Sequence, residues 1–335
     1  MPKFLRPLAA ALSAATLAAP VPALAQTANG KAVTMIIGFG PGGGYDLWAR
    51  TVARFIGRRL PGNPPVVAQN MPGAGSYVAA SWIYNIAPKD GTIMGMIARD
   101  AVLGPLTGDP GAKFDSTKMT WLGTPTTETN ICIANATAKV KTFDDLRKTE
   151  LIVGDTGPGT GTRSYPLALN ALLGTKFKLV SGFPASSDVF LAMERGEVDG
   201  ICESLDSVIG KRPDWISSGK VSVLFQGGAE ANPEVKAPYI VDLVKSDEEK
   251  ANIRFLYAGQ GIGRPFAAPP GMSAATTKTM RDAFDATMAD PEFVAEAKKL
   301  QLDVKARDGA YLTKLIGDIY ATPKAIVDRI AKLIL

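Results

Sequence analysis

Three glycine-rich loops punctuate the first half of the chain, each set between an apolar run and a helix-like run. IIGFGPGGGYD covers Ile36–Asp46, NMPGAGS covers Asn70–Ser76 and GDTGPGTGTRS covers Gly154–Ser164. A glycine loop that follows a strand and opens a helix belongs to an open α/β sheet, at the carboxyl ends of its parallel strands. That is also where such sheets bind ligands. Backbone N–H groups and the helix dipole suit the place to anions, and glycine tolerates positive φ and lets the backbone approach closely. One such loop would be an ordinary tight turn. Three, with Ser76, Thr160, Thr162 and Ser164 beside them, point to a site.

The runs around the loops supply the elements. VTMIIGF, PPVVAQN and TIMGMIA read as strands. Tyr45–Leu60 reads as a helix with Trp48, Val52, Phe55, Ile56 and Leu60 on one stripe. It stops at Pro61-Gly62, with Arg58 and Arg59 in the last turn where they suit the dipole. SYVAASWIYNIA reads as a second helix. A second alternating unit follows, with strands NICIANA, LIVGD, FKLVSG, VDGICES and VSVLFQ and helices KTFDDLRK, Arg163–Leu173 and SSDVFLAMERG. This rhythm predicts parallel strands joined by helical crossovers. The last third is helical: Ser273 caps a helix to Ala289 that stops at Asp290-Pro291, and Pro323 is placed like a first-position proline.

GFGPGG also satisfies the dinucleotide pattern G-x-G-x-x-G at Gly38, Gly40 and Gly43. That pattern needs an acid near the end of the second strand for the ribose hydroxyl, and Gln69-Asn70 stand there. Pro41 removes a backbone donor from the turn. No loop carries the phosphate-loop motif G-x-x-x-x-G-K-[ST]. The 335 residues include no histidine, which excludes a Ser-His-Asp or Cys-His apparatus and a His-built zinc site. The two cysteines are too few for a zinc cluster. An enzyme here would have to use carboxylates, lysine or a cofactor; the expectation is no enzyme, no cofactor and no metal.

Residues 1–25 read as a secretory signal peptide. Lys3 and Arg6 precede the apolar run Leu8–Ala19, and Ala23-Leu24-Ala25 is a small-x-small cleavage site. The run is too short for a lasting membrane anchor, so a soluble, exported protein is expected. Without Lys3 and Arg6 the balance is 35 basic against 32 acidic residues, a weak +3, and no basic run carries interleaved aromatics. Nucleic acid is not an expected partner. In an oxidising compartment Cys132 and Cys202 either form a disulfide or remain two buried thiols; spacing alone leaves both open.

IIGFGPGGGYDLWAR, NMPGAGS, APKDGTIMGM, KTFDDL, GDTGPGTGTRS, DVFLAMERGEVDGICES, SGKVSVLFQ and APPGMSAATTKTMRDAFDATMADPEF follow one another in this order. Over this mature length the chain resembles the substrate-binding receptors of tripartite tricarboxylate transporters, the TctC-like Bug proteins. The resemblance implies an α/β, two-lobed periplasmic binding protein of type II, a Venus flytrap with its ligand cleft between the lobes. It implies one lobe from residues 26–130 plus 226–335 and another from 131–225, hinged through Thr129–Asn135 and Val221–Gln226. It further implies a monomeric receptor that captures a small organic acid and hands it to a membrane permease with a large and a small subunit.

Carried over by motif, Phe39, Gly40, Pro41, Gly42, Gly43, Gly44 and Tyr45, with Gly73, Ala74, Gly75 and Ser76, would hold one carboxylate through backbone N–H groups and ordered waters. Asp46 matches the acid of the family's GGxxD and is expected to cap the helix or fix the loop. Gly159, Thr160, Gly161, Thr162 and Arg163 would meet the far end of the ligand. Ser164-Tyr165-Pro166 departs from the Ser-His-Leu-Ala of many relatives, and neither Arg163 nor the SSD of PASSDVFLAM is common to them. Arg163 could hold a second carboxylate bidentately. Glu203 and Asp188 could accept from a ligand hydroxyl or amine; a helix N-cap suits Asp188 better, and Glu203 has the alternative of a paired surface acid. Trp48, Trp82, Trp121 and Trp215 are expected in the core or an interface. A sensory receptor that presents its ligand to a membrane kinase would share these features. An exported enzyme fits less well, lacking histidine and paired catalytic acids.

Overall fold

The computed structural model describes residues 31–334, so the expected signal peptide lies outside the described residues. The chain opens with β1 (Val33–Ile37), α1 (Gly44–Ile56), β2 (Val66–Asn70), α2 (Tyr77–Asn85), β3 (Ile93–Met96), α3 (Gly104–Thr107) and β4 (Thr120–Thr124). It then builds β5 (Asn130–Asn135), α4 (Phe143–Leu146), β6 (Leu151–Gly154), α5 (Gly161–Leu173), β7 (Phe177–Val180), α6 (Ser186–Arg195), β8 (Gly200–Ser204), α7 (Leu205–Lys211) and β9 (Val221–Gly227). It returns through α8 (Asp247–Leu256) and α9 (Gly259–Ile262) to β10 (Phe266–Ala268). It ends with α10 (Ala274–Met288), α11 (Pro291–Lys299), β11 (Arg307–Asp308), α12 (Gly309–Tyr320) and α13 (Lys324–Ile334).

These strands form two sheets, ordered β11-β4-β10-β3-β1-β2 and β7-β6-β8-β5-β9. Each sheet with its helices makes one lobe. The expectation of parallel strands holds where a helix carries the chain back: β1 pairs parallel with β2 and β3, and β6 with β7 and β8. It fails elsewhere. β5 runs antiparallel to β8 and β9, β10 to β3 and β4, and β11 to β4. The reason is connectivity. A helical crossover within one sheet returns the next strand in the same direction, whereas β5 and β10 are each entered from the other lobe. Both sheets are therefore mixed.

The predicted stripe of α1 is buried, with Trp48, Val52 and Ile56 fully covered. It packs on β1 and β2 on one side and on α10 and α11 on the other. Ser273 caps α10 by accepting from the Thr276 amide, and Asp290 caps α11 with Pro291 at its first position. Trp121 is fully buried and Trp215 nearly so, the latter edge-on to Phe190 in the core of the second lobe. The lobes also meet through side chains: Tyr165 of α5 stacks on Tyr257 at 4.2 Å between centroids, and α13 packs against α5, α8 and α3.

Cys132 and Cys202 are register partners on β5 and β8 and are joined by a disulfide across 70 residues of chain. It closes a long loop and ties the strand arriving from the first lobe to the centre of the second sheet. Such a crosslink stabilises by about 2–4 kcal/mol, largely by restricting the unfolded chain. Reducing the protein, or substituting Cys202→Ser, should lower its urea midpoint accordingly. An unchanged midpoint would mean that the β5–β8 ladder holds without the crosslink.

Candidate functional site

The three glycine loops come together between the lobes. Gly40 N–H donates across the cleft to the Pro184 carbonyl at 3.2 Å. A Cβ on Gly43 would lie 3.3 Å from that of Ala185. The second loop is more constrained: Gly73, Ala74, Gly75 and Ser76 have successive φ values of 141°, 44°, 59° and 84°. Ala74 and Ser76 are held in a left-handed conformation that costs on the order of 1 kcal/mol or more each. Part of the restraint on Ser76 is visible, since its Oγ accepts from the Ala98 amide at 3.1 Å. The turn brings the Gly75 backbone against Pro158 of the second lobe, where an added Cβ would lie 1.6 Å from the carbonyl oxygen.

These contacts enclose a chamber with about 20 Å³ of free space, room for a single water. Gly43–Tyr45, Thr160–Thr162 and Ala185-Ser186 line it. They are the N-terminal ends of α1, α5 and α6, which therefore converge from both lobes. The first N–H groups of a helix have no intrahelical partner and carry the positive end of its dipole. Phe39, stacked on Tyr45 with centroids 4.5 Å apart, adds an apolar wall. Outside the chamber lies a wider cleft of about 500 Å³, and Phe39 and Thr156 border both spaces.

The expected site residues divide between these spaces. Phe39, Gly43, Gly44, Tyr45, Thr160, Gly161, Thr162 and Glu203 line the chamber. Gly73, Ala74, Gly75, Ser76 and Arg163 line the outer cleft. Gly40, Pro41, Gly42 and Asp46 line neither, and Gly159 borders a separate space beside Tyr77. Asp46 fixes the first loop: Oδ2 accepts from Gly42 N–H at 2.9 Å, and Oδ1 from Arg50 and Asn70 at 2.8 Å each. The cap position of α1 belongs to Gly43. Arg163 turns toward its own lobe, donating to Ser181 Oγ at 3.1 Å, with Asp155 at 3.5 Å. Asp188 is not the N-cap of α6; Ala185 is, and Asp188 falls within the first turn. Glu203 is not a surface acid but is 7% exposed, with Oε1 accepting from the Ser204 amide at 2.6 Å.

A buried ionic network behind the chamber had no counterpart in the sequence reasoning. Glu128, in the crossover from β4 to β5, accepts from both Arg99 (2.7 Å) and Arg264. Arg264 also donates to Ser204 Oγ and Ser207 Oγ of the second lobe, at 2.5 and 2.8 Å, and lies 4.2 Å from the centroid of Tyr45. Asp100 follows Arg99 in the first lobe, yet its Oδ1 accepts from Tyr165 O–H at 2.6 Å and its Oδ2 from Gly161 N–H at 3.1 Å, both in the second. Gln260 donates to the same tyrosine oxygen at 2.6 Å. Burial pushes the Asp100 carboxyl above its ordinary range, opposed by Arg99 and by the bonds from Tyr165 and Gly161. Burial would pull Arg99 down, but Tyr45, Glu128 and Asp100 around it outweigh this and hold its pKa up. In sequence these are isolated charges at the edges of apolar runs, MIARD, TTETN and GIGRPF. An abrupt charge at a strand end was the only signal available.

Two substitutions test this geometry. Gly75→Val should prevent full apposition of the lobes, because its side chain would strike the Pro158 backbone; small-angle scattering should show a larger radius of gyration than in the unsubstituted protein. An identical scattering profile would show that the lobes meet elsewhere. Glu128→Gln should cost about 3–5 kcal/mol in chemical denaturation, since it removes the charge that two buried guanidinium groups share. A loss below about 1 kcal/mol would mean that water or other groups replace the carboxylate.

No family model matches the chain. Among curated proteins it is 25% identical to the UPF0065 protein in the gbd 5' region of Cupriavidus necator, across 96% of this chain and 95% of that protein. The structure of the periplasmic binding protein BugD matches with a TM-score of 0.70 at 18% identity, covering 88% of this chain and 97% of that one. MatC from Rhodopseudomonas palustris, solved with bound malate, matches with a TM-score of 0.70 at 20% identity, covering 88% and 98%. The chain thus has the two-lobed fold of the Bug-type periplasmic binding proteins, which its ordered motifs resemble from the first glycine loop to the C-terminal helices.

Proposed function

We propose that this protein is a periplasmic solute-binding receptor that captures a small organic carboxylate between its lobes and delivers it to a tripartite tricarboxylate-type membrane permease. One observation carries the reading: three helix N-termini, one from the first lobe and two from the second, converge on a single chamber. Such ends bind anions through backbone N–H groups without needing a cationic side chain. The fold shared with MatC, solved with bound malate, supports the same class of ligand. The permease as recipient rests on the motif resemblance, and export on the signal-peptide features of residues 1–25.

The chamber dictates how capture works. Its 20 Å³ is far below the several hundred Å³ of an occupied small-molecule site. The lobes must therefore part, receive the acid from the outer cleft and close on it. The work of the protein is reversible binding by preformed dipoles, with no bond made or broken.

A thermal-shift screen of the protein against organic acids and their neutral amide analogues tests this. A ligand that binds only the native form stabilises by about 2.7 kcal/mol at a hundredfold excess over its Kd. One or a few acids should raise Tm while their amides do not. A response to nucleotides alone, or equal responses to acids and amides, would overturn the reading.

A further inference from the structure

The chamber has room for little more than one polar group, so the outer cleft decides what the rest of a ligand can be. The two spaces share Phe39 of the first lobe and Thr156 of the second as a common wall. With one wall residue from each lobe, parting the lobes joins the spaces. At about 500 Å³ the outer cleft lies within the range of a small-molecule site. Pro72 and Ala74 beside the second glycine turn form one face, and Pro158, Phe183 and Pro184 of the second lobe form the other. All five are apolar, and Phe183 also packs on the core of its own lobe.

Among the described residues, Arg163 is the one ionisable group that lines this cleft. It follows Thr162, which lines the chamber, so the start of α5 serves both spaces. Its side chain is 30% exposed and loosely tied. Nη1 donates to Ser181 Oγ at 3.1 Å and reaches Asp155 only at 3.5 Å, while Nε and Nη2 donate to no described residue. Asp155 does not depend on the arginine. This buried carboxylate accepts from Gly157 N–H at 2.8 Å and from Ser181 O–H at 2.5 Å. A cation in the first turn of a helix also faces the positive end of the dipole. A guanidinium held there, with two nitrogens uncommitted and apolar walls around it, is set to receive a hydrogen-bond acceptor.

Resting on the receptor reading above, we infer that Arg163 and the outer cleft set the ligand class: an acid with an apolar body and a hydrogen-bond acceptor at its far end, in preference to a compact hydroxy acid. Its carboxylate occupies the chamber, its body lies between the second glycine turn and Phe183, and its far end meets Arg163. A compact hydroxy acid would leave the apolar walls to water and the guanidinium unmet.

Titration calorimetry on the purified protein tests this with three sets of acids: straight-chain and aryl monocarboxylates, the same acids bearing a keto or carboxylate group at the far end, and the compact hydroxy acids malate and citrate. The acceptor-bearing acids should bind at least about tenfold tighter than either other set, the scale of one hydrogen bond to a charged group. Arg163→Gln should remove their advantage over the bare acids and leave the bare acids unchanged. Arg163→Lys should keep part of it for carboxylate ends, with circular dichroism melts confirming that both variants fold. Malate or citrate as the tightest ligand, or equal binding of bare and acceptor-bearing acids, would overturn the inference and leave the carboxylate receptor standing. Equal weakening of all three sets in a folded Arg163→Gln variant would give Arg163 a structural role and overturn its assignment. No heat with any acid would sink the receptor reading and this inference together.

Discussion

Much of the interlobe architecture depends on one buried carboxylate. Glu128 sits where the chain leaves the first sheet for the second and accepts from two arginines that approach from other parts of the first lobe. Arg264 reaches on from there to the two serines at the start of α7. A lone buried guanidinium would be prohibitively expensive to desolvate, so the three groups stand or fall together. Their joint position places Tyr45 under Arg264 and Arg99 beside the chamber. The site is therefore held by charges that need not touch the ligand.

Closure is a matter of backbone meeting backbone. Gly40 donates to Pro184, Gly75 abuts Pro158, and Gly43 faces Ala185. The unusual φ values at Ala74 and Ser76 are tolerated because the second turn must present Gly75 edge-on to the other lobe. Asp46 serves the same end in the first loop, gathering Gly42, Arg50 and Asn70 around one side chain. The acid of the first glycine motif thus shapes the loop. Asp100 and Tyr165 then add a side-chain tie between lobes that the glycine motifs do not announce.

Periodicity and motif spacing made the elements legible. The α1 stripe, the cap at Ser273, the helix stop at Asp290-Pro291 and the strand–loop–helix order all appear where apolar spacing and turn residues place them, because these are local properties of a few neighbouring residues. Strand direction was not legible for β5 and β10, since it depends on which sheet the previous element joined. The roles of Arg163, Asp188 and Glu203 were likewise hidden. Each is a single charged residue, and its direction depends on neighbours distant in sequence: Ser181 and Asp155 for Arg163, and the enclosing chamber for Glu203.

The sequence by itself determined the class of fold and the chemistry available to it: glycine loops opening helices, no histidine, and two cysteines in strand-like runs. Those are matters of composition and short-range pattern. Only the tertiary structure decided that three helix ends share one chamber, that Cys132 and Cys202 are register partners, and that Glu128 joins residues 99 and 264. Convergence of this kind is set by packing between segments far apart in the chain, and a buried charge finds its partner there because solvation leaves it no other place to go.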